Sequence, residues 1–416
     1  MTLDRRDFLR GGSALAALAA SGGPARAQDG PKFDLVIFGG EVIDPSQGMR
    51  GRFDVGIRHG RIAAIEAAIS AESAARTLDA SGALVTPGLV DLHTHVFPYG
   101  SAIGIPADEL APLTCTTTAV SAGDAGANTI AALKRLIAGP SRTRIYAFVH
   151  IANFGLAGFP VGEMLNIDHA MIEACADAVA TNPDFCLGVK VRVSKSVVGD
   201  NSLEPLRRAI AAAERAGPWA KVMCHIGDAP GKLGDLLDLL RPGDVLTHSY
   251  SGLGNNIVQD GKVLAAVWAT RERGVTIDVG HGGGSFDYTV AEPALAEGLF
   301  PDTISSDIHV YSGNSPGRPY LPWVMSKFLN LGMSLERVIA AATINPARVI
   351  DRDAGLGTLV VGASADVAVM RLVDGPVTLE DTRKKRRDGT RHLEAVATVR
   401  AGVPFGRPYM APFSKG

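Results

Sequence analysis

Two histidines one residue apart, His93 and His95, close the apolar run Leu84–Leu92 just before the chain turns at Pro98. On an extended strand alternate side chains share a face, so the two imidazoles aim at one point, an arrangement that suits a divalent metal. Four later apolar segments each carry another candidate ligand: Lys190, His225, His248 and Asp307. Lys190 stands inside Leu187–Val193, where an unpaired ammonium would be costly, so it needs partners or a changed chemical form. Each residue taken alone has a plainer reading, as a core histidine, a surface histidine or a helix cap; the set gains its meaning from how the chain must arrange it.

Between Val85 and Ile350 short apolar strands alternate with alanine- and leucine-rich helical stretches such as Leu203–Ala216 and Gly261–Arg273. Eight strands are expected, at Gly88–Leu92, Cys115–Val120, Arg144–His150, Leu187–Val193, Lys221–Cys224, Asp244–Thr247, Thr276–Val279 and Thr303–Ser306. Eight such alternations predict an α/β fold, a (β/α)₈ TIM barrel, spanning 86–354. Segments 30–85 and 355–410 read instead as short strands and turns and are expected to pair into one small β-sandwich domain built from both chain ends. The C-terminal strand ends of a barrel form a single face, and all six candidates fall on it.

The 416 residues are 46% hydrophobic with a net charge of −2, which supports a large core and argues against a nucleic-acid partner. The basic run Arg383–Arg387 reads as a solvated loop. Residues 1–27 read as an export leader. Arg5-Arg6 resembles a twin-arginine signal, Ala14–Ala20 is a short apolar stretch, and Ala25-Arg26-Ala27 is a small-residue cleavage site, so a periplasmic location is expected. No run is long enough to span a bilayer. The cysteines Cys115, Cys175, Cys186 and Cys224 form no CxxC and read as buried free thiols.

The motifs Val85-Thr-Pro-Gly-Leu-Val-Asp-Leu-His-Thr-His95, Gly188-Val-Lys190, Cys224-His225, Leu246-Thr-His248 and Ser306-Asp307, in that order, resemble those of the amidohydrolase superfamily. Thr343-Ile-Asn-Pro-Ala347 and Gly362-Ala-Ser-Ala-Asp-Val367 resemble its closing motifs. The likeness spans Pro31 to about Pro404. It implies two divalent metal ions, zinc foremost. His93 and His95 would hold the first with Asp307 beside it, His225 and His248 the second, and a carboxylated Lys190 would bridge them. Carboxylation would turn a costly buried cation into an anionic ligand. Asp307 would take the proton of the nucleophile and pass it to the leaving group.

Departures narrow the branch. Where dihydroorotases carry an arginine two residues past the second histidine, this chain has Phe97; Ser121–Gly126 lacks a bridging cysteine; and Asp228 stands where adenosine-deaminase types need glutamate. The run Gly280-His-Gly-Gly-Gly-Ser-Phe286 is nearest to deacetylase or dihydroorotase-like members. The expectation is a deacetylase or esterase acting on a small acylated α-hydroxy or α-amino carboxylate, with a cyclic amidohydrolase as the alternative. A non-catalytic scaffold is disfavoured because all six ligands are present. Arg192, on the inward face with Lys190, is expected to hold the substrate carboxylate, and His281, Gly283 and Tyr311 to contact substrate, with Tyr250 and Arg318 as further walls. The partner is a small molecule; an oligomer remains compatible.

Overall fold

The computed structural model describes residues 31–406; the expected leader and the last residues of the expected β domain lie outside them. Seven strands run parallel in sequential order: Leu89–Thr94, Thr116–Gly126, Arg144–His150, Cys186–Val193, Lys221–Ile226, Val245–Thr247 and Thr276–Ile277. The eighth expected strand is instead an extended segment fixed by single bridges, Asp278 to Thr303 on one side and Thr94 to Ile308 on the other. The Asp307 amide donates to His93 O at 2.7 Å and the Val279 amide to Thr303 O at 3.1 Å, so the segment touches both strand seven and strand one and closes the barrel.

The strands are apolar throughout because a parallel barrel buries both faces. Val90, Leu92, Val120, Phe148, Leu187 and Met223 fill the interior, while Val189, Val191 and Val193 pack outward beneath the helices. Register shifts interrupt that alternation, two of them near the site. One lies between Asp91 and Thr94 in the pairing of strands one and two, the other between Ala147 and Phe148 in the pairing of strands three and four. A bulge re-aims the side chains beyond it. Leu187 and Lys190 therefore both enter the barrel although their spacing is odd. Gly188 makes this possible: its φ is +149°, and a methyl there would lie 1.8 Å from Lys221 O.

Both chain ends build the second unit. A six-stranded sheet contains Glu41–Asp44 and Leu84–Pro87 beside Val367–Glu380 and Arg386–Arg400. It shares one core with a four-stranded sheet centred on Leu35–Phe38 and Asp54–Arg58, through Leu35, Ile37, Val55, Val367 and Val369. The long hairpin of Val367–Glu380 and Arg386–Arg400 runs on past this sandwich along the helix Leu321–Asn330, where Ser326 Oγ accepts from the Leu393 amide at 2.8 Å and Asn330 Oδ1 from the Thr390 amide at 2.9 Å. The basic run Arg383–Arg387 is the tip of this hairpin, with Arg383, Lys384 and Arg386 exposed as a solvated loop would have them, and three of its side chains are ion-paired. Lys385 pairs with Asp287 at 3.0 Å, Arg386 with Glu380 at 2.8 Å and Arg387 with Glu292 at 2.5 Å. The helix expected over Gly261–Arg273 begins only at Ala265, because Val258–Gln259 and Lys262–Val263 form a ribbon around Gly261. All four cysteines are buried and unpaired.

Candidate metal centre

The barrel brings the six predicted ligands to one place. His95 Nε2 lies 3.0 Å and His93 Nε2 3.3 Å from Asp307 Oδ1, and Lys190 Nζ lies 3.1 Å from His93 Nε2. The His248 ring stands 4.9 Å from that of His93 and 4.1 Å from that of His225. One donor atom from each of His93, His248 and Asp307 lies within 4.8 Å of the others.

Neighbouring groups fix which nitrogen of each ring is free. Thr247 Oγ donates to Asp278 at 2.7 Å, so it accepts from His93 Nδ1–H at 2.8 Å. Asp124 accepts from His95 Nδ1–H at 2.9 Å, and Gly280 O from His248 Nδ1–H at 2.6 Å. In all three rings Nε2 keeps its lone pair, and at His93 and His95 that nitrogen faces Asp307, the orientation that carboxylate or carbonyl partners impose on metal-bound histidines. His248 Nε2 is buried with no hydrogen-bond partner among the described residues. At His95 a lone pair and a carboxylate oxygen confront each other at 3.0 Å, which requires a cation between them, either a proton or a metal. These donors fit a divalent metal pair.

The electrostatics agree. Burial, then the neighbouring charge of Lys190 for His93 and of His248 for His225, holds both imidazoles well below their usual value and keeps them neutral, as ligands must be. Burial would lower His95 too, but the carboxylates of Asp124 and Asp307 raise it to about 9. Among the described residues the fully buried Lys190 amine hydrogen-bonds only His93 Nε2 and Met223 Sδ, and burial brings it down to about 7, only partly offset by Asp307. Burial opposes ionisation of Asp307, but the His95 hydrogen bond and nearby imidazoles hold its carboxyl below the usual carboxylate range.

Backbone strain sits at the same residues. His248 has φ +66° and Asp307 φ +49°. Such conformations cost on the order of 1 kcal/mol each outside glycine and persist where their surroundings enforce them. Buried Asp91 supplies part of that enforcement, accepting from the Ser306 amide at 2.9 Å, as does Asp278, which takes hydrogen bonds from Thr247, Thr303 and Ser305.

His93, His95, Lys190, His225 and Asp307 floor a cavity of about 70 Å³ walled by Ile103, Leu156, Phe159, Arg192 and His309. Arg192 reaches this cavity and is at the same time ion-paired to buried Glu163, with its guanidinium 5.7 Å from the Phe159 ring. The other expected substrate contacts lie elsewhere. His281 is fully buried behind the wall, hydrogen-bonded to Lys327 at 2.7 Å, because its ring turns away from the funnel. Gly283 faces Ser312 and Ser315 rather than the cavity. Tyr311 stands at the rim, 65% exposed, stacked on Phe159 at 6.4 Å. Tyr250 is buried and donates to Leu299 O. Arg318 packs over Trp323 in a separate, larger groove of about 630 Å³ that holds none of the ligands.

Asp124, Thr247, Asp278, Glu163 and His309 escaped the sequence reading. Asp278 had left a signal, an acid inside the apolar strand Thr276–Val279. His309, two residues past Asp307, shared the spacing that singled out His93 and His95.

Comparison with known proteins bears on the whole arrangement. A model of the amidohydrolase family matches residues 286–400. The chain is 36% identical over 327 residues to a deacetylase of Agrobacterium fabrum, covering 78% of this chain and 79% of that one. A solved structure described as an adenine deaminase superposes with a TM-score of 0.82 at 30% identity, over 90% of this chain and 99% of that one. One described as a dihydroorotase gives 0.81 at 30% identity, over 89% and 97%.

Proposed function

The chain belongs to the amidohydrolase superfamily and is a hydrolytic enzyme, and from that membership we propose a binuclear metal-dependent hydrolase that cleaves the ester or amide of a small acylated α-hydroxy or α-amino carboxylate. The observation that carries the proposal is the convergence of the His93 and His95 Nε2 lone pairs, Asp307, Lys190 and His225 on one small cavity that Arg192 also reaches, with His248 beside His93 and His225. Similarity to a deacetylase over most of both chains supports the acyl-cleaving branch.

His93, His95 and Asp307 would hold one ion and His225 and His248 the other. Lys190 would bridge them once its unprotonated amine has added to CO₂, forming the N–C bond of a carbamate and releasing a proton. Held there, the ions would polarise the acyl carbonyl and make water nucleophilic at neutral pH. Asp307 takes the proton of the attacking water and delivers it to the leaving oxygen or nitrogen. Arg192, steadied by Glu163, offers its remaining donors to the substrate carboxylate. Phe159 and Leu156 exclude water, and the small cavity favours a compact acyl group.

A panel of N-acyl amino acids, O-acyl hydroxy acids, hydantoins and dihydroorotate tests this reading. Turnover led by an acylated acid, with Arg192→Met raising KM for carboxylate substrates far more than for a neutral ester, supports it. Faster turnover of dihydroorotate or a hydantoin replaces it with the cyclic-amide alternative. We further propose periplasmic export by the twin-arginine route; unchanged export after Arg5-Arg6→Lys-Lys would remove that route.

A further inference from the structure

Among the described residues Lys327 is a second lysine that is wholly buried with no carboxylate in hydrogen-bond reach, the charges of Asp381 and Glu380 acting on it from farther off. It lies on the helix Leu321–Asn330, and its Nζ donates to His281 Nε2 at 2.7 Å and to Gly317 O at 2.5 Å, with the Phe286 ring centroid 5.4 Å away. The other ring nitrogen, His281 Nδ1–H, donates to Gly282 O at 2.9 Å. This direction is forced, because a carbonyl only accepts and Lys327 only donates while it is charged. One imidazole therefore links a helix of the barrel wall to the backbone of the loop after strand seven.

That loop lies against Asp307. The Gly282 amide donates to Ser306 O at 2.8 Å, and a methyl at Gly282 would sit 2.2 Å from Asp307 Oδ2. Gly317, in the loop after Asp307, comes as close from the other side, since a methyl there would lie 2.6 Å from His281 Cε1. The hairpin tip seals the same point, with Thr382 Oγ donating to Phe286 O at 2.6 Å.

We propose that Lys327 and His281 are positioning residues for Asp307: together they clamp the Gly282 backbone against its carboxylate and so fix the carboxylate in the cavity. The proposal rests on the reading of Asp307 as proton acceptor. It explains why a costly buried amine occupies a helix that contributes nothing else to the site, and why His281, which the motif places beside the chemistry, turns its ring away from it.

The test uses zinc-loaded full-length chains assayed on the best wild-type substrate, with the visible spectrum of the cobalt(II)-substituted protein as a readout independent of turnover. Lys327→Met and His281→Leu break the link at either end. His281→Gln keeps an amide that accepts from Lys327 and donates to Gly282 O. The expected result is a kcat roughly 10–10² lower in the two broken variants, with KM within about twofold, as for a catalytic group displaced by a fraction of an ångström to an ångström. Their cobalt spectra should change, and His281→Gln should recover most of both. Wild-type kcat and spectrum in Lys327→Met and His281→Leu below their melting temperatures would overturn the proposal whatever stability they had lost. A His281→Gln variant as impaired as His281→Leu would do the same. Asp307→Asn separates the proposal from the reading beneath it. A kcat loss of roughly 10²–10⁴ supports the proton role; normal turnover would overturn that role alone, and the cobalt spectra would then decide the positioning by themselves.

Discussion

At the scale of single residues the site is defined less by its ligands than by what holds them. Asp124 is buried, accepts from His95 Nδ1–H at 2.9 Å, and also takes the Val96 amide and the Ser121 hydroxyl. Its charge fixes both the tautomer and the angle of the ring. Asp124→Asn keeps the shape and removes the charge, and should weaken zinc binding by roughly 10–10², the usual range for partners of metal-bound histidines. Competition with a chelator reads this directly, and unchanged affinity would mean that His95 is oriented by packing alone. The gathering of the six candidate ligands was legible in the sequence because donor-bearing side chains are conspicuous inside apolar runs. Asp124 was not, because its role depends on reaching from strand two to strand one. His281 misled for a related reason: a histidine beside a glycine run advertises contact with substrate, and only the packing of Lys327 behind it reveals which way the ring turns.

At the scale of elements, barrel strands one to seven were legible to within a few residues except at the far end of strand two, since a strand buried on both faces reads as a continuous apolar run. The eighth was legible as a segment but not as a strand, for it pairs through single bridges on each side. Strand two runs on to Gly126 as Thr116–Gly126, past the expected Val120, because Ser121-Ala-Gly-Asp lacks an apolar signature even though the segment is wholly buried. The bulges were invisible, and they decide which residues enter the funnel. Gly188→Ala tests this point. With φ at +149° and a carbonyl oxygen 1.8 Å from the new methyl, strand four must shift away from strand five, at a cost of about 1–3 kcal/mol or more. Thermal melting should show that loss together with reduced metal content, because Lys190 moves with the bulge. A variant of normal stability and full metal content would show that the bulge does not aim Lys190.

At the scale of the molecule, the C-terminal hairpin joins the sandwich to the mouth of the barrel, and Lys327 sits where hairpin, helix and loops meet. Sequence pattern placed the sandwich at both chain ends but gave no hint of this hairpin's reach, since its basic tip looks like any solvated charge run until Asp287 and Glu292 are seen opposite it. Among the described residues no helix is long and apolar enough to cross a membrane. Burial lowers the Lys327 amine from 10.5 to about 7. Below about pH 7 the folded and unfolded chains both carry the proton, and the penalty of burying it is fully present. Between about 7 and 10.5 the folded chain has released a proton that the unfolded chain still holds, so stability rises with pH across that window. The difference in stability between wild type and Lys327→Met should therefore shift in favour of wild type as pH rises from 7 to 10. Denaturation curves at a series of pH values measure it, and a difference independent of pH would place the folded-state amine near its ordinary value.

The proposed chemistry needs a pair of divalent ions held together by a modified Lys190. The measurement that tests it most directly is the metal content of the full chain after reconstitution with zinc and bicarbonate, compared with that of Lys190→Ala. Two zinc ions per wild-type chain, falling to one or none in the variant and dependent on bicarbonate in the wild type, is the predicted result. A wild-type chain that never takes up more than one ion, or a Lys190→Ala variant that still holds two, would contradict the account.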